Sequence, residues 1–244
     1  MNFKIENHIS MRKYIVLLLT VVVFGSCVVY HPHNVDIPLL SERGQLHVDG
    51  SVSMSAPLLV APALNATVAW APLDMFGVQA SASVTDFKNC YFQAAGGTYF
   101  PFGNAVLECY LGYGHGLSYD DSVGDLNHHH YTVDGSYNLV FSQINFGWAG
   151  LDDGGIDVGM GLKGGLLTPK WDKIERLSDG TETLAERHDQ VHFLLQPQLM
   201  FRFGWQKVKF SVNVAYAFLT DWPTENNYFN YERFSAGLGM HLMF

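Results

Sequence analysis

Charge is scarce in this 244-residue chain. Only 15% of its residues are Asp, Glu, Lys or Arg, against roughly 25% in ordinary soluble proteins. So low a fraction favours a partly apolar surround. Basic residues are scarcer still: 14 Lys and Arg stand against 23 Asp and Glu, a net charge of −9. No basic cluster exists, so nucleic acid is excluded as a partner. Three cysteines are too few for a disulfide framework. Beyond residue 27 no apolar run approaches the roughly 18 residues of a membrane-spanning helix, and helical periodicity is hard to find. The GxSxG, HExxH and CxxC signatures are absent, which removes the strongest motif-level cases for an enzyme. What remains is 48% hydrophobic, 14% aromatic and rich in glycine, the composition of a folded, β-rich chain.

The first segment reads as an address. Arg12 and Lys13 precede an apolar run from Tyr14 to Phe24, then Gly25-Ser26-Cys27, the layout of a secretory signal peptide. Small residues directly before a cysteine resemble the lipobox of bacterial lipoproteins, although Phe24 stands where Leu is usual. The resemblance implies lipidation of Cys27, while ordinary cleavage near this point is the alternative. The ten residues before Met11 fit no part of such a signal, and Met11 is an alternative start. Removal of residues 1–26 leaves 11 basic and 22 acidic residues, net −11. Residues 27–45 then form a periplasmic linker and 46–244 one domain. Cys90 and Cys109 fall too far apart to bond if 91–101 and 104–115 form a hairpin with paired numbers summing to about 206.

Period two runs through the rest. In 206–218, Val208, Phe210, Val212, Val214, Tyr216 and Phe218 alternate with Lys209, Ser211 and Asn213. In 155–166, Ile156, Val158, Met160 and Leu162 alternate with Asp157, Gly159, Gly161 and Lys163. The last eleven residues do the same. With weaker alternation over 46–56, 62–71, 76–85, 91–101, 104–115, 136–148 and 190–203, ten strands of membrane-crossing length result, eight being the smaller possibility. The fold class is therefore all-β, an antiparallel up-and-down transmembrane β-barrel. Short connections near 149–154 and 204–205 alternate with long ones near 116–135, 167–189 and 219–230. An even strand count places both barrel ends on the short-turn, periplasmic side. Trp70, Phe100, Phe102, Trp148, Phe203, Trp205 and Phe244 would form one aromatic girdle; Phe92, Tyr113, Tyr137, Phe218 and Tyr231 the other. A soluble, lipid-anchored barrel or sandwich would carry the reverse pattern, apolar inside and charged outside.

Phe234, Leu238, Met240, Leu242 and Phe244 form a terminal alternation that looks like the C-terminal β-signal of outer-membrane proteins. That resemblance implies outer-membrane lipids and the barrel-assembly machinery as partners. Glu108, Tyr110, Gly112, Tyr113, Gly114, Tyr137, Phe141, Gln143, Asn145 and Gly147 resemble small outer-membrane barrels of the OmpW-like and OmpX-like kind, in architecture only. No catalytic residue is carried across.

Candidate chemistry is thin. Gly159-Met160-Gly161-Leu162-Lys163-Gly164 matches GxGxxG but sits within a strand, where glycines make room for bulky neighbours rather than cradle a pyrophosphate. His128, His129 and His130, with Asp120, Asp121 and Asp125, are a weak metal candidate on a long loop. Glu108, Asp157, Lys163, Arg202 and Lys209 point inward as an interior polar cluster. A turn near 205 would set Arg202 opposite Lys209 and call for Asp157 as their acid. Asp86, His115 and His188 lie near the rim, where an outer-membrane hydrolase would carry acidic and His residues, but no spacing singles them out. The expectation is a non-enzymatic outer-membrane lipoprotein barrel with a structural or surface-interaction role and no cofactor; a narrow pore for small solutes is the rival, an outer-membrane protease or lipid-modifying enzyme the third reading. Mass spectrometry of the mature N-terminus checks the anchor: it should show an acylated Cys27, and an unmodified one rules lipidation out.

Overall fold

A computed structural model describes residues 33–56, 62–85, 89–124, 130–151, 155–176, 182–188, 191–219, 231 and 233–244. Twelve strands are present among them: β1 (Leu46–Ala56), β2 (Pro62–Leu73), β3 (Phe76–Thr85), β4 (Asn89–Phe102), β5 (Ala105–Gly124), β6 (His130–Gly150), β7 (Ile156–Arg176), β8 (Glu182–His188), β9 (His192–Gly204), β10 (Val208–Tyr216), β11 (Phe218–Leu219) and β12 (Phe234–Met243). Ten of them close an antiparallel barrel. Each of β1 to β7 pairs with the next, β7 pairs with β9, β9 with β10, β10 with β12, and β12 returns to β1. Closure leaves no edge, which is what permits a sheet to face lipid. The short β11 continues β10 past Ala217, and β8 lies on the far half of β7 beyond the ring.

The alternation decides which face meets which solvent. Leu64, Leu111, Val140, Ile144, Met160, Leu199 and Leu238 point outward and are exposed. Gln93, Glu108, Gln143, Asn145, Lys163 and Arg202 point inward and are buried. A soluble barrel requires the opposite, so that reading is overturned. At the short-turn end, Trp70, Phe102, Trp148, Phe203, Trp205 and Phe244 are exposed as a girdle, and at the other end Phe92, Tyr113 and Phe218 are exposed. Tyr137 leaves its expected girdle: it is 5% exposed and faces the lumen.

Turn chemistry sets the short end. Asp74-Met75 joins β2 to β3, and Gly103-Asn104 joins β4 to β5 with Gly103 at φ +64°, a positive φ that glycine adopts without a Cβ clash. The pairing there sums to 207 rather than 206, so Cys109 faces Thr98 and Cys90 faces Leu117. Both thiols are free. Leu46 and Phe244 exchange backbone hydrogen bonds of 3.1 and 2.9 Å, bringing the barrel's two chain ends together on this side.

The opposite end departs from the sequence reading. β5, β6 and β7 run on to residues 124, 130 and 176 instead of stopping at 115, 136 and 166. The segment expected as a loop over 167–189 is largely strand, with Ile174 paired to Leu184 and Glu175 to Thr183. Above an apolar band of about 25 Å the outer face no longer has to be apolar, so the alternation reverses its sense: Val133, Tyr137, Leu139, Leu167 and Trp171 are buried inside while Asp134 and Lys170 are exposed outside.

Leu111 sits mid-strand on the outer face at 72% exposure. Leu111→Arg should lower the unfolding free energy in vesicles by about 2–4 kcal/mol, as a charge at mid-bilayer does; denaturant titration followed by tryptophan fluorescence reads it.

Candidate functional site

The lumen is occupied by the chain itself. The stretch expected to be a periplasmic linker runs, from His33 to Leu40, up the inside of the barrel. Val35, Ile37, Leu39 and Leu40 are buried against Ala71, Tyr99, Val106 and Met200, each contributing about 1.5–3 kcal/mol of apolar burial.

This segment has no neighbouring strand, and Pro38 lacks a donor. Its backbone polar groups must therefore be met by side chains from the wall. Gln198 donates its amide N–H to Val35 O at 2.7 Å and accepts from Val35 N at 2.6 Å, one side chain standing in for a ladder partner. Gln196 donates to His33 O at 2.6 Å. Gln143 and Asn145 both donate to Asp36 O, at 2.5 and 3.1 Å. Leu40 N donates to Glu108 Oε1 at 2.8 Å, and Pro38 O lies 2.8 Å from His47 Nδ1. Asp36 itself is anchored from the other wall, accepting from Thr67 at 2.6 Å and Gln93 at 3.0 Å.

Small residues clear the path. A Cβ on Gly161 would sit 2.9 Å from both Val35 Cγ1 and Asn145 Oδ1, and one on Gly159 would sit 3.0 Å from Ile37 Cγ2. The first two glycines of the GxGxxG match thus admit the threaded segment, while Gly164 lies beside Leu194 and Leu195 instead. Beside it a cavity of about 30 Å³ remains, lined by residues that include Asp36, Asp49, Thr67 and Arg202; this is room for a water or two. Toward the long hairpins an apolar layer follows, containing Tyr110, Tyr137, Phe141, Leu167, Trp171 and Leu194. His33 stacks on Tyr91 at a centroid distance of 3.8 Å and hydrogen-bonds Tyr137 Oη at 2.7 Å.

The five interior charges do not form one cluster. Lys209 pairs with Asp157 at 2.5 Å, and Asp157 also accepts from Gly150 N. Arg202 takes a different acid, Asp49, at 3.1 Å, and Asp49 is shared with His241 at 2.6 Å. Across the hairpin Arg202 faces Ser211, and Lys209 faces Gly204, a two-residue correction to the expected register. That turn spans Trp205 to Lys207 rather than centring on 205. Lys163 donates to Gln93 Oε1 at 2.9 Å and lies 4.8 Å from the centre of the Phe141 ring. Glu108 accepts from Asn145 at 2.8 Å and Tyr110 at 3.2 Å. Sequence reasoning missed Asp36, Asp49, His47 and His241, together with the threaded segment. The sequence carries only a faint trace of it, five glutamines on the inner face at 79, 93, 143, 196 and 198, of which 143, 196 and 198 bind the segment's backbone.

The other candidates do not converge. His115 lies on the outer face of β5, 2.9 Å from Asn138 Oδ1; Asp86 falls outside the described residues, and His188 is placed by its backbone alone, opposite Trp171. Cys27, His128, His129 and Asp125 lie outside the described residues as well, while His130 pairs with Gly124 and Arg176 in the sheet. Phe234, Leu238, Met240 and Phe244 are exposed along β12, and Leu242 is half-buried.

No protein-family model matches the chain, and no curated protein matches it. Solved structures match in fold. The outer membrane protease OmpT from Escherichia coli aligns at 8% identity over 82% of this chain and 94% of that one, with a TM-score of 0.52. The translocator domain of the autotransporter NalP from Neisseria meningitidis aligns at 11% identity over 99% and 98%, TM-score 0.44. The N-terminal β-barrel domain of Pseudomonas aeruginosa OprF aligns at 9% identity over 83% and 98%, TM-score 0.37. The chain has the fold of an outer-membrane β-barrel, ten strands closed in an antiparallel ring.

Asp157→Ala leaves the Lys209 ammonium buried without its acid. A loss of about 3–5 kcal/mol is expected, most of it recovered by Asp157→Ala combined with Lys209→Met; equilibrium denaturation of the three proteins checks the cycle.

Proposed function

We propose that this is a closed, lipidated outer-membrane barrel that neither conducts solutes nor catalyses a reaction, and that it works as a rigid base holding the long β5 to β8 hairpins above the membrane for surface interaction. The observation that carries this reading is the threaded segment. Its backbone is bonded to Gln198, Gln196, Gln143, Asn145 and Glu108, and the cavity of about 30 Å³ beside it holds no more than a water or two. A selectivity filter needs ligand groups facing an open path; here Gln143, Asn145, Gln196, Gln198 and Glu108 are turned to the protein's own backbone.

The exposed apolar face and its girdles suit residence in a bilayer, with the long hairpins outward and the short turns in the periplasm. Acyl chains on Cys27 add an anchor, and the terminal Phe234 to Phe244 pattern serves as the sequence read by the barrel-assembly machinery. Outer-membrane lipids and that machinery are the partners this reading requires.

Planar-bilayer recording tests it. The purified full chain should give no discrete current steps, and a variant lacking residues 33–40 should give them. Steps from the full chain would instead establish the narrow pore.

A further inference from the structure

The threaded segment has a direction, and that direction bears on where the N-terminal arm ends. Leu46 is bonded to Phe244 at the short-turn end. Going backward along the chain, Leu40 lies at the level of Glu108, Asp36 at that of Gln93 and Gln143, and His33 at that of Tyr91 and Tyr137. Each step toward the N-terminus is a step toward the long hairpins. At Tyr91 the chain is two residues from the end of β4 at Asn89. Among the described residues the wall is lower on this side: β1 to β4 end at residues 56, 62, 85 and 89, with only five and three residues left to connect them, while β5 to β7 continue well beyond.

We propose that the arm leaves through the long-hairpin mouth and crosses this low rim, so that Cys27 places its acyl chains in the outer, cell-surface leaflet rather than the periplasmic one. The proposal rests on the lipidated, outward-facing barrel described above. Five residues lie between Cys27 and His33, and the six steps they make reach about 20 Å when fully extended. That suffices to pass from the lumen over the rim to the membrane surface. It does not suffice to return to the short-turn face across an apolar band of about 25 Å, through a lumen that residues 33–40 already fill. A lipid in the periplasmic leaflet and a threaded segment exclude one another. The segment therefore acts as a tether that carries the modified end of the chain through its own barrel.

The test uses the full chain in a Gram-negative host, with an epitope between Tyr30 and His31 in one version and between Asn127 and His128 in the β5–β6 connection in another. Heat-modifiable gel migration confirms that each version is folded, and denaturing blots confirm that each carries the epitope. Antibody should bind both epitopes equally on intact and on permeabilised cells. Binding to the hairpin epitope on intact cells, with the N-terminal epitope silent until permeabilisation or silent throughout, overturns the proposal and leaves the barrel's orientation standing. A hairpin epitope that itself needs permeabilisation overturns that orientation, and the proposal with it.

Discussion

An extended peptide inside a barrel has no strand beside it. Its N–H and C=O groups are removed from water, yet the wall's own backbone is already committed to the ring, so side chains must supply the missing partners. The interior is organised around that requirement. Gln198 presents its amide to Val35 as a neighbouring strand would, and Gln143 and Asn145 converge on one carbonyl, that of Asp36. Glycines at 159 and 161 stand where a Cβ would collide with Ile37 and Val35. Remove the segment, and the same amides become buried groups lacking their partners, each costing about 1–3 kcal/mol until water enters.

Two solvents act on one sheet. Outside, lipid asks only for apolar bulk in a band and aromatic rings at its margins, and Leu111, Leu199 and Leu238 can satisfy it without specific partners. Inside, the charged side chains take specific partners. Hence the interior charges split into separate pairs, Lys209 with Asp157 and Arg202 with Asp49, in place of a shared network. Asp49 also holds His241, which sits edge-on to His47 at a centroid distance of 4.8 Å, and His47 lies against Pro38 O. The short-turn end of the barrel is thus bonded to the base of the threaded segment. Interior packing and the position of the N-terminal arm are one problem.

Legibility followed the range of the interactions. Val208 to Phe218 and Ile156 to Lys163 showed their two faces because alternation needs only neighbouring residues. Register was read to within one residue at Gly103 and missed by two at Trp205, since it depends on the shape of the turn, and the change moved Arg202 from Lys209 to Ser211. The upper halves of β6 and β7 do alternate, but in the reverse sense, with Val133, Tyr137, Leu139, Leu167 and Trp171 buried inside and Asp134 and Lys170 exposed, so a search for an apolar outer face passes over them. Tyr137 resembled a girdle residue by position and is instead a lumenal ring against His33, because the parity of its strand puts it on the inner face.

By itself, the amino-acid order determined the all-β class, the ten membrane-length strands, the apolar outer face and the girdle at the short-turn end, all consequences of period-two patterning and turn residues close in the chain. Tertiary structure alone decided that residues 33–40 fill the lumen, that Asp49 and Asp36 are the acids of the interior, and that β8 lies on β7. Those pairings join Val35 to Gln198, Asp36 to Gln143 and Asp49 to Arg202, far apart in the chain: a glutamine on a barrel's inner face reads as polar filling until the segment whose backbone it binds is seen inside.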